Sequence, residues 1–283
     1  MQRCPRAFVL RYGIAVYAGI HPTGQMLRDS FAIQTPWILM QMSIRETIRD
    51  YVEDYQLGMK WSRKLIQLKF SQTFRYKIEH RNSIIADHPE WKEPESMFQR
   101  VRPEKHLEEI GGIRCAKLIL NDSFARLLET MVLKAIPQTK SNILDGIRVY
   151  NSPDFLAEDR HKRYLIRINL FGYHSIDQIN QNAALFSLGR KSQTIVQYSW
   201  KNGKWFVHKT TVSEKERKLQ RRLIRLDSQE MERVLNLIKP KNNLQFVPFA
   251  DSSRSCMQCS VRFMCPAKHG LEEVKLEQMS LIC

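Results

Sequence analysis

Four cysteines near the two ends of the chain constrain its fold more than any other feature. Three of them form the pattern C-x2-C-x5-C, followed by a proline, at Cys256, Cys259 and Cys265. The fourth, Cys4, stands almost at the beginning. Thiolates two residues apart can bind one metal centre from a tight loop, because the turning backbone directs both sulfurs inward, and the third can join from the next turn. If Cys4 completes the set, the fold must bring the two ends of the chain together.

The choice of fourth ligand decides which metal fits. The sequence offers Cys4, Cys115, Cys283 or His269. With His269 the pattern is that of a small zinc knuckle, since zinc accepts mixed sulfur and nitrogen ligands. With Cys4, four thiolates suit either zinc or an iron–sulfur cluster. We interpret Cys115, in an apolar helical stretch, as a buried small side chain, and Cys283 as a terminal thiol.

The chain is strongly basic, with 45 Lys and Arg against 29 Asp and Glu and a formal net charge of +16. The excess is spread along the sequence, and such a field attracts polyanions, most simply nucleic-acid phosphates. A solvated basic surface, a ribosomal-RNA-bound protein or a membrane-surface protein would carry the same charge.

The remaining composition is that of a folded protein, with 43% hydrophobic residues. No stretch reaches the ~18 uninterrupted apolar residues of a membrane span, and the apolar amino-terminal stretch contains Arg11 and lacks the layout of a signal peptide. We therefore expect a cytoplasmic protein without membrane association. In that reducing compartment cysteines act as ligands or thiols instead of forming disulfides.

Residues 60–81 interleave basic and aromatic side chains. Two interpretations fit this segment. In one, the cations bind phosphates and the aromatic faces accept bases. In the other, the segment is an amphipathic helix whose aromatic residues are core. The candidate nucleic-acid contacts along the whole chain are Arg45, Lys60, Trp61, Arg63, Lys64, Arg75, Tyr76, Arg167, Arg217, Arg221 and Arg222.

Hydrophobic spacing predicts helices before and after a group of strands. A helix is expected over residues 36–56, where Ile44, Ile48 and Val52 form one stripe, and another over residues 105–136. Residues 88–104, with three prolines, are expected to form a loop or boundary. Short apolar runs then predict strands at GIRVY, PDFLA and RYLIRINLF.

The later part of the core combines a helix, a hairpin and a basic helix. Ser175 is a plausible N-cap for the helix in SIDQINQNAALFSLG. Asn202 and Gly203 predict a tight turn between two strands, and one or two basic helices should follow and end before Pro240. The class is α/β or α+β, with a central mixed β-sheet flanked by helices. The expected segments are an N-terminal helical region (1–104), the core (105–240) and a cysteine-rich closure (241–283).

CPRAFVLRYG at one end and C-x2-C-x5-C-P at the other resemble the iron–sulfur staple of RecB-like PD-(D/E)XK nucleases. These include CRISPR-associated adaptation nucleases and the AddB type. The resemblance implies a restriction-endonuclease-like core closed by a four-cysteine centre that holds a 4Fe-4S cluster, with zinc as the alternative. Cys4, Cys256, Cys259 and Cys265 match its ligand set position by position.

The same resemblance implies an active centre that this sequence only partly retains. Family members hold Mg²⁺ or Mn²⁺ between two neighbouring acids, because hard cations prefer carboxylate oxygens, and a lysine polarises the attacking water. Asp154 matches the first acid, and Gln181 matches a helix glutamine. Arg167 and Asn169 stand where the second acid and the lysine are expected, and Arg45 where a helix histidine is expected. A guanidinium in place of a carboxylate favours anions over cations.

Other interpretations of these residues stay open. Asp154 also fits a simple turn residue after Pro153, and Gln181 a surface polar group. Acids that would replace the missing partner in an active enzyme are Glu158, Asp159 and Asp177.

We expect a catalytically inactive nucleic-acid-binding protein, with DNA favoured over RNA, that belongs to a helicase, repair or CRISPR-type complex. One alternative is an active Mg/Mn-dependent DNA exonuclease with relocated acids. Another is an architectural zinc- or cluster-containing subunit that binds a protein or RNA partner.

Overall fold

The computed structural model describes residues 4–15, 22–89, 103–158, 162–170, 175–190 and 194–236, together with Val247, Cys259 and Val261. The chain forms two compact units. The first comprises Met1–Leu39, Arg75–Glu104 and Asp227–Cys283. The second comprises Met40–Phe74 and Lys105–Leu226.

The first unit contains short helices near the amino terminus: α1 (Pro5–Val9), a π-helical turn (Leu10–Ile14) and α2 (Pro22–Ala32). Proline suits the first helical position, because the N–H that it lacks would have no partner inside the helix there. Three longer helices have residues in both units. They are α3 (Pro36–Gln56), α4 (Arg63–Asp87) and α8 (Glu214–Asn236).

The core of the first unit joins residues from both ends of the chain. Its buried members are Phe8, Val9, Leu10, Ala15, Leu27, Val234, Val247 and Val261. Buried Arg6 donates from Nε to the carbonyl oxygen of Val247 over 2.7 Å, across 241 positions of sequence. The partly buried Cys259 packs against the same cluster.

The second unit is built on a mixed sheet. Its strands are β1 (Val132–Ala135), β4 (Phe155–Glu158), β5 (Arg163–Asn169), β6 (Thr194–Lys201) and β7 (Lys204–Thr211), in the order β1-β4-β5-β6-β7. Only the β5–β6 pair is parallel. Strands β2 (Asn142–Leu144) and β3 (Ile147–Val149) form a separate antiparallel pair. The other helices are α5 (Glu104–Ile119), α6 (Asp122–Thr130) and α7 (Ile176–Ser187).

Helix α7 connects the two parallel strands and packs on the sheet. Leu165, Ala183, Ala184, Ile195 and Val212 form one buried cluster. Five of the seven residues of β5 are buried, as expected of a central strand with both faces covered. The predicted mixed α/β class with a mixed sheet is therefore confirmed.

Local sequence signals account for several elements. Helix α3 has the predicted bounds, and Ile44, Ile48 and Val52 are fully buried on it. Ser175 caps α7 in a reciprocal capping box with Gln178. Asn202 and Gly203 have φ of 49° and 77°, the left-handed values that a two-residue type I′ turn between β6 and β7 requires.

The helix predicted over residues 105–136 is wrong in its second half. Helix α5 ends at Ile119, and Asn121 begins α6 by accepting hydrogen bonds from the backbone N–H groups of Ser123 and Phe124. After α6 the chain becomes β1, which pairs with β4. A cap and a strand partner distant in sequence override the helical spacing there. In the part of the chain that the structure describes, no helix combines the length and apolarity needed to cross a membrane.

Candidate functional site

Asp154 is the centre of the candidate site. It immediately precedes β4, and only 2% of its side chain is exposed. Its Oδ1 lies 2.7 Å from Nε of Arg45 on α3, and its Oδ2 lies 3.4 Å from Nη1 of Arg167 on β5. The backbone N–H of Ile168 donates to Oδ2 over 2.7 Å. One buried carboxylate thus contacts two guanidinium groups and one backbone donor.

The sheet holds the backbone of Asp154 in place. Its N–H donates to the carbonyl oxygen of Ile166 over 2.8 Å, which extends the β4–β5 ladder by one residue. Its own carbonyl oxygen accepts from the N–H of Ile136 over 3.0 Å, just beyond β1. Arg49, one turn after Arg45 on α3, donates to the carbonyl oxygen of Ile136 over 3.3 Å. Helix α3 and three strands therefore fix the position of the carboxylate.

Gln138 and Phe186 also contact Arg167. Nη1 of Arg167 donates to Oε1 of Gln138 over 3.1 Å and to the carbonyl oxygen of Ser152 over 3.4 Å. Nε2 of Gln138 in turn lies 3.5 Å from Oδ1 of Asp154. The guanidinium carbon of Arg167 lies 4.9 Å from the centre of the Phe186 ring, a cation–π contact.

The electrostatics of the cluster oppose a divalent cation. Burial lowers the pKa of Arg167, the charge of Asp154 opposes that lowering, and Arg45 adds to it. Two arginines against one carboxylate leave a positive excess, which repels a metal ion and attracts anions.

The position expected to hold a catalytic lysine is part of a buried amide and hydroxyl network. Nδ2 of Asn169 donates to Oε1 of Gln197 over 3.2 Å and to Oγ of Ser199 over 3.0 Å. Gln197 donates to the carbonyl oxygen of Ile179 over 2.7 Å, linking β6 to α7. These groups stabilise the sheet and carry no charge with which to activate water.

Three of the remaining candidate catalytic residues are described, and all three are exposed, unlike the buried Asp154. Gln181 is exposed on α7. Glu158 is exposed at the end of β4, where its Oε1 lies 2.8 Å from Nε of Arg163. Asp177 is exposed in the first turn of α7, and Asp159 lies outside the described residues.

The candidate nucleic-acid contacts fall into exposed and enclosed groups. Arg45 and Arg167 each expose 18% of their side chains and face Asp154. Arg217 is half-buried. Tyr76 is 69% exposed. The exposed cations are Lys60, Arg63, Lys64, Arg75, Arg221 and Arg222.

Trp61 is enclosed, which corrects its suggested role as a stacking surface. Only 7% of it is exposed, and its indole Nε1 donates to Oδ2 of Asp54 over 2.8 Å. Its ring meets Tyr51 edge to face at a centroid distance of 5.5 Å. Phe70 and Phe74, on α4, are also buried. The amphipathic-helix interpretation thus explains most aromatic residues of this segment, and Tyr76 keeps an accessible ring.

An open cavity of about 340 Å³ lies beside the exposed cations of α4. Arg63 and Lys117 line it on the basic side, and Leu120, Asn121 and Asp122 line it where α5 gives way to α6. Nζ of Lys117 is held by the carbonyl oxygen of Gly203 over 2.9 Å. The cavity is open to solvent and combines cations with one acid.

Two of the four candidate cluster ligands lie in the described part of the chain. Cys4 is half-buried at the start of α1 and makes no side-chain capping bond, and Cys259 is half-buried against the core that α1 helps to form. Cys256 and Cys265 fall outside the described residues, as do the alternatives His269 and Cys283. Within the described ranges, no three His, Cys, Asp or Glu side chains gather as metal ligands.

Cys115 matches its interpretation as a buried side chain. It is fully buried on α5, and its Sγ lies 3.9 Å from the carbonyl oxygen of Ile44. Burial raises the pKa of the Cys115 thiol well above its ordinary value.

The sequence patterns do not indicate Gln138 or Arg190, which also lie near the site. Nη1 of Arg190, just after α7, donates over 3.3 Å to the carbonyl oxygens of Asn151 and Phe186. Its Nη2 lies 3.5 Å from Oγ of Ser152. Neither Gln138 nor Arg190 belongs to a motif, so only the positions of the strands reveal them.

Comparison of the chain with models of protein families, with curated proteins and with solved structures found no match.

Proposed function

We propose that this protein binds nucleic acid through a nuclease-like core that no longer cuts. The observation that carries the proposal is the enclosure of Asp154 by Arg45, Arg167 and the backbone N–H of Ile168. The order of these groups along the chain follows the resemblance: a helix residue, an acid before a strand, and a second residue on the next strand. Positive charge occupies the position expected for the second acid, at Arg167, and the position expected for a helix histidine, at Arg45.

Loss of cleavage follows from the chemistry of the cluster. Magnesium and manganese prefer oxygen ligands, and the centre that the resemblance implies binds them between two acids, from which they contact the scissile phosphate. Among the residues of this cluster that the structure describes, Asp154 is the single carboxylate, and Arg45 lies against one of its oxygens. A divalent cation would have to displace a guanidinium from a site that hinders its approach.

Nucleic-acid binding is supported by the net charge and by the exposed cations of the second unit. Lys60, Arg63 and Lys64 are exposed where α4 begins, and Arg63 borders the open cavity. Arg221 and Arg222 are exposed on α8. With a formal charge of +16, the chain should associate readily with a phosphate backbone. We propose DNA over RNA as the ligand and a helicase, repair or CRISPR-type complex as its setting.

The four-cysteine centre is the second part of the proposal. Cys259 is half-buried against the core that includes Phe8 and Val9 of α1, Cys4 is half-buried at the start of α1, and Arg6 donates to the carbonyl oxygen of Val247. This arrangement fits thiolates from the two ends of the chain binding one 4Fe-4S cluster, with Cys256 and Cys265 completing the set. When bound, the cluster would supply a covalent brace between the chain ends. Zinc remains the alternative metal.

The rival functions have less support among the described residues. An active exonuclease with relocated acids would need Glu158, Asp159 or Asp177 near Asp154. Glu158 and Asp177 are exposed and Glu158 faces Arg163, whereas Asp159 lies outside the described residues. An architectural subunit that binds only a protein or an RNA partner predicts no general affinity for oligonucleotides.

Nucleic-acid binding is tested by fluorescence anisotropy with labelled single- and double-stranded oligonucleotides over a range of salt. We expect tight binding at low salt and a linear fall of log K with log salt concentration. The variant Lys60→Gln/Arg63→Gln/Lys64→Gln should bind more weakly, with a salt slope smaller by about 0.7 to 0.9 for each phosphate that is no longer neutralised. The control Gln72→Ala changes an exposed, uncharged side chain farther along α4 and should bind as the wild type does.

Cleavage and cluster content complete the test. The metal-loaded protein should leave both oligonucleotides intact in Mg²⁺ or Mn²⁺. Divalent-metal-dependent cutting that Asp154→Ala abolishes would contradict the inactive centre, and absence of binding at low salt would contradict the nucleic-acid role. Protein purified without oxygen should be brown, absorb near ~400 nm and contain iron and sulfide, and Cys4→Ser should lose the colour. Zinc without iron would favour the alternative metal.

A further inference from the structure

Helix α8 turns its leucines toward solvent. Leu219, Leu223 and Leu226 are 58%, 42% and 51% exposed. Their spacing of four and then three residues places them on one face, because an α-helix has 3.6 residues per turn. No residue from Glu214 to Leu226 is buried. The most apolar face of this half of the helix is therefore the outward one.

The half-buried residues of this half of the helix include a set on another face. Arg217, Gln220 and Ile224, spaced three and four apart, are half-buried. Arg225 donates from Nε and Nη2 to Oδ2 of Asp145, over 3.1 Å and 2.7 Å, at the turn between β2 and β3. A helix placed only to bury Leu219, Leu223 and Leu226 would be rotated by roughly a third of a turn.

The start of α8 is formed independently of any partner. Oγ and the backbone N–H of Ser213 both donate to Oε2 of Glu216, over 2.6 Å and 2.7 Å, and the N–H of Glu216 donates to Oγ of Ser213 over 3.3 Å. This reciprocal cap fixes the first turn. A partner would meet a preformed helix, which lowers the entropy lost on binding.

The charges beside the leucines indicate the chemistry of the partner. Lys215 and Arg222 lie one turn before and one turn after Leu219 on the same side of the stripe. Residues 214–226 carry six cations, Lys215, Arg217, Lys218, Arg221, Arg222 and Arg225, against Glu214 and Glu216. A leucine stripe with this border fits a helix that carries its own apolar stripe edged by Asp or Glu.

We infer that the Leu219–Leu223–Leu226 face of α8 is the docking surface for an acidic amphipathic helix of a protein partner. Nucleic acid would use the cations but gains nothing from three leucines. A second copy of this chain would bring equally basic helices together. Interfacial helices enter lipid through Trp and Phe as well as Leu, and this half-helix has neither Trp nor Phe. This surface is separate from the centre around Asp154 and does not depend on the proposed nucleic-acid role.

The test uses the full-length protein and a synthetic helical peptide of about three heptads, with leucine at the a and d positions and glutamate at the e and g positions. Fluorescence anisotropy should show binding of this peptide and at least about tenfold weaker binding of a scrambled peptide of identical composition. The double variant Leu219→Ser/Leu223→Ser should bind the peptide about tenfold or more weakly, because two apolar side chains are removed from the interface. The control Leu57→Ser changes a leucine that is 77% exposed in another region and should bind as the wild type does.

Each outcome bears on the inference. Unchanged circular dichroism and oligonucleotide affinity in the leucine double variant, together with abolished peptide binding, would support it. Equal binding of the scrambled peptide would overturn it, since charge alone would then suffice. Leucine-dependent self-association in the ultracentrifuge would overturn it in favour of a second copy. Leucine-dependent binding to phosphatidylserine vesicles, without peptide binding, would overturn it in favour of a lipid surface.

Discussion

Arg167 on β5 faces Asp154 at the start of β4, with its Nη1 3.4 Å from Oδ2 of the carboxylate. The antiparallel register that pairs Phe155 with Ile166 places the two side chains beside each other. Under the proposed function, this buried ion pair stands where a nuclease would hold two metal-binding acids. The role of the Asp154–Arg167 ion pair can therefore be tested through protein stability as well as through nuclease activity.

Removing the carboxylate should destabilise the second unit strongly. Asp154→Ala leaves Arg45 and Arg167 without their opposite charge, and breaking a buried ion pair on one side costs about 3–5 kcal/mol. The free energy of unfolding, from urea denaturation monitored by circular dichroism, measures this loss. Glu158→Ala breaks an exposed ion pair with Arg163 and should cost less than about 1 kcal/mol. Equal, small losses in both variants would show that the enclosed cluster contributes little to stability.

Reversing the charge at position 167 should create a cation site. In Arg167→Glu a second carboxylate would face Asp154, and two adjacent carboxylates are ligands for Mn²⁺. The thermal midpoint of the variant should rise with Mn²⁺, because binding at about 100 times Kd adds about 2.7 kcal/mol to stability. The wild type should show no such rise. Arg148→Glu makes the same charge change at an exposed position of β3 and serves as the control. If the thermal midpoint rose with Mn²⁺ only in Arg148→Glu, the cation would bind away from Asp154.

Two adjacent glycines of α5 should respond in opposite directions to alanine. A Cβ at Gly111 would overlap the ring of Phe70 on α4, and overpacking of this kind costs about 1–3 kcal/mol. A Cβ at Gly112 would make its nearest contact at 3.5 Å, with Gln67, which is an ordinary distance. Gly112→Ala should therefore stabilise the protein by up to about 1 kcal/mol, since alanine favours helix. Thermal unfolding of both variants gives the signs, and the same sign in both would contradict the packing of α4 on α5.

The hydrogen bonds between Ser213 and Glu216 that cap α8 should stabilise the folded protein slightly, by an amount that depends on pH. The Ser213 hydroxyl, followed by its backbone N–H, lowers the pKa of Glu216 from its ordinary value of 4.5. A carboxylate whose pKa is lowered by folding stabilises the folded state above that value, and the contribution is lost as the pH falls through the lower, folded-state pKa. Ser213→Ala should raise the pKa of Glu216 in an NMR titration, whereas Ser213→Thr keeps the hydroxyl and should preserve it. A titration unchanged by Ser213→Ala would remove the hydroxyl as a cause.

Sequence patterns predicted the elements that depend on local chemistry. Helix α3 follows from its apolar stripe, α7 from the Ser175 cap, and the β6–β7 hairpin from Asn202 and Gly203. The sequence pattern does not reveal the helix break at Asn121, because a single asparagine can also occur inside a helix. Strand β1 was missed because its identity comes from pairing with β4, which lies more than twenty residues away.

The candidate site was predictable only in part for the same physical reason. The expected hairpin identified Asp154 and Arg167, and the preceding helix identified Arg45. Gln138 and Arg190 reach the region from segments that carry no motif. The burial of Trp61 depends on Tyr51 and Asp54 of the preceding helix, so the alternation of basic and aromatic residues alone could not distinguish a stacking surface from core.

The hydrogen bond from Arg6 to the carbonyl oxygen of Val247 affects how the protein is made. During synthesis the ribosome releases Phe8, Val9 and Leu10 first, but their partners Val234, Val247 and Val261 are translated more than two hundred residues later. At a translation rate of about 5–20 residues per second, tens of seconds would pass before Phe8, Val9 and Leu10 could pack against these partners. Phe8, Val9 and Leu10 therefore cannot be buried in this core until most of the sequence has been translated, and a metal centre that uses Cys259 cannot form before then.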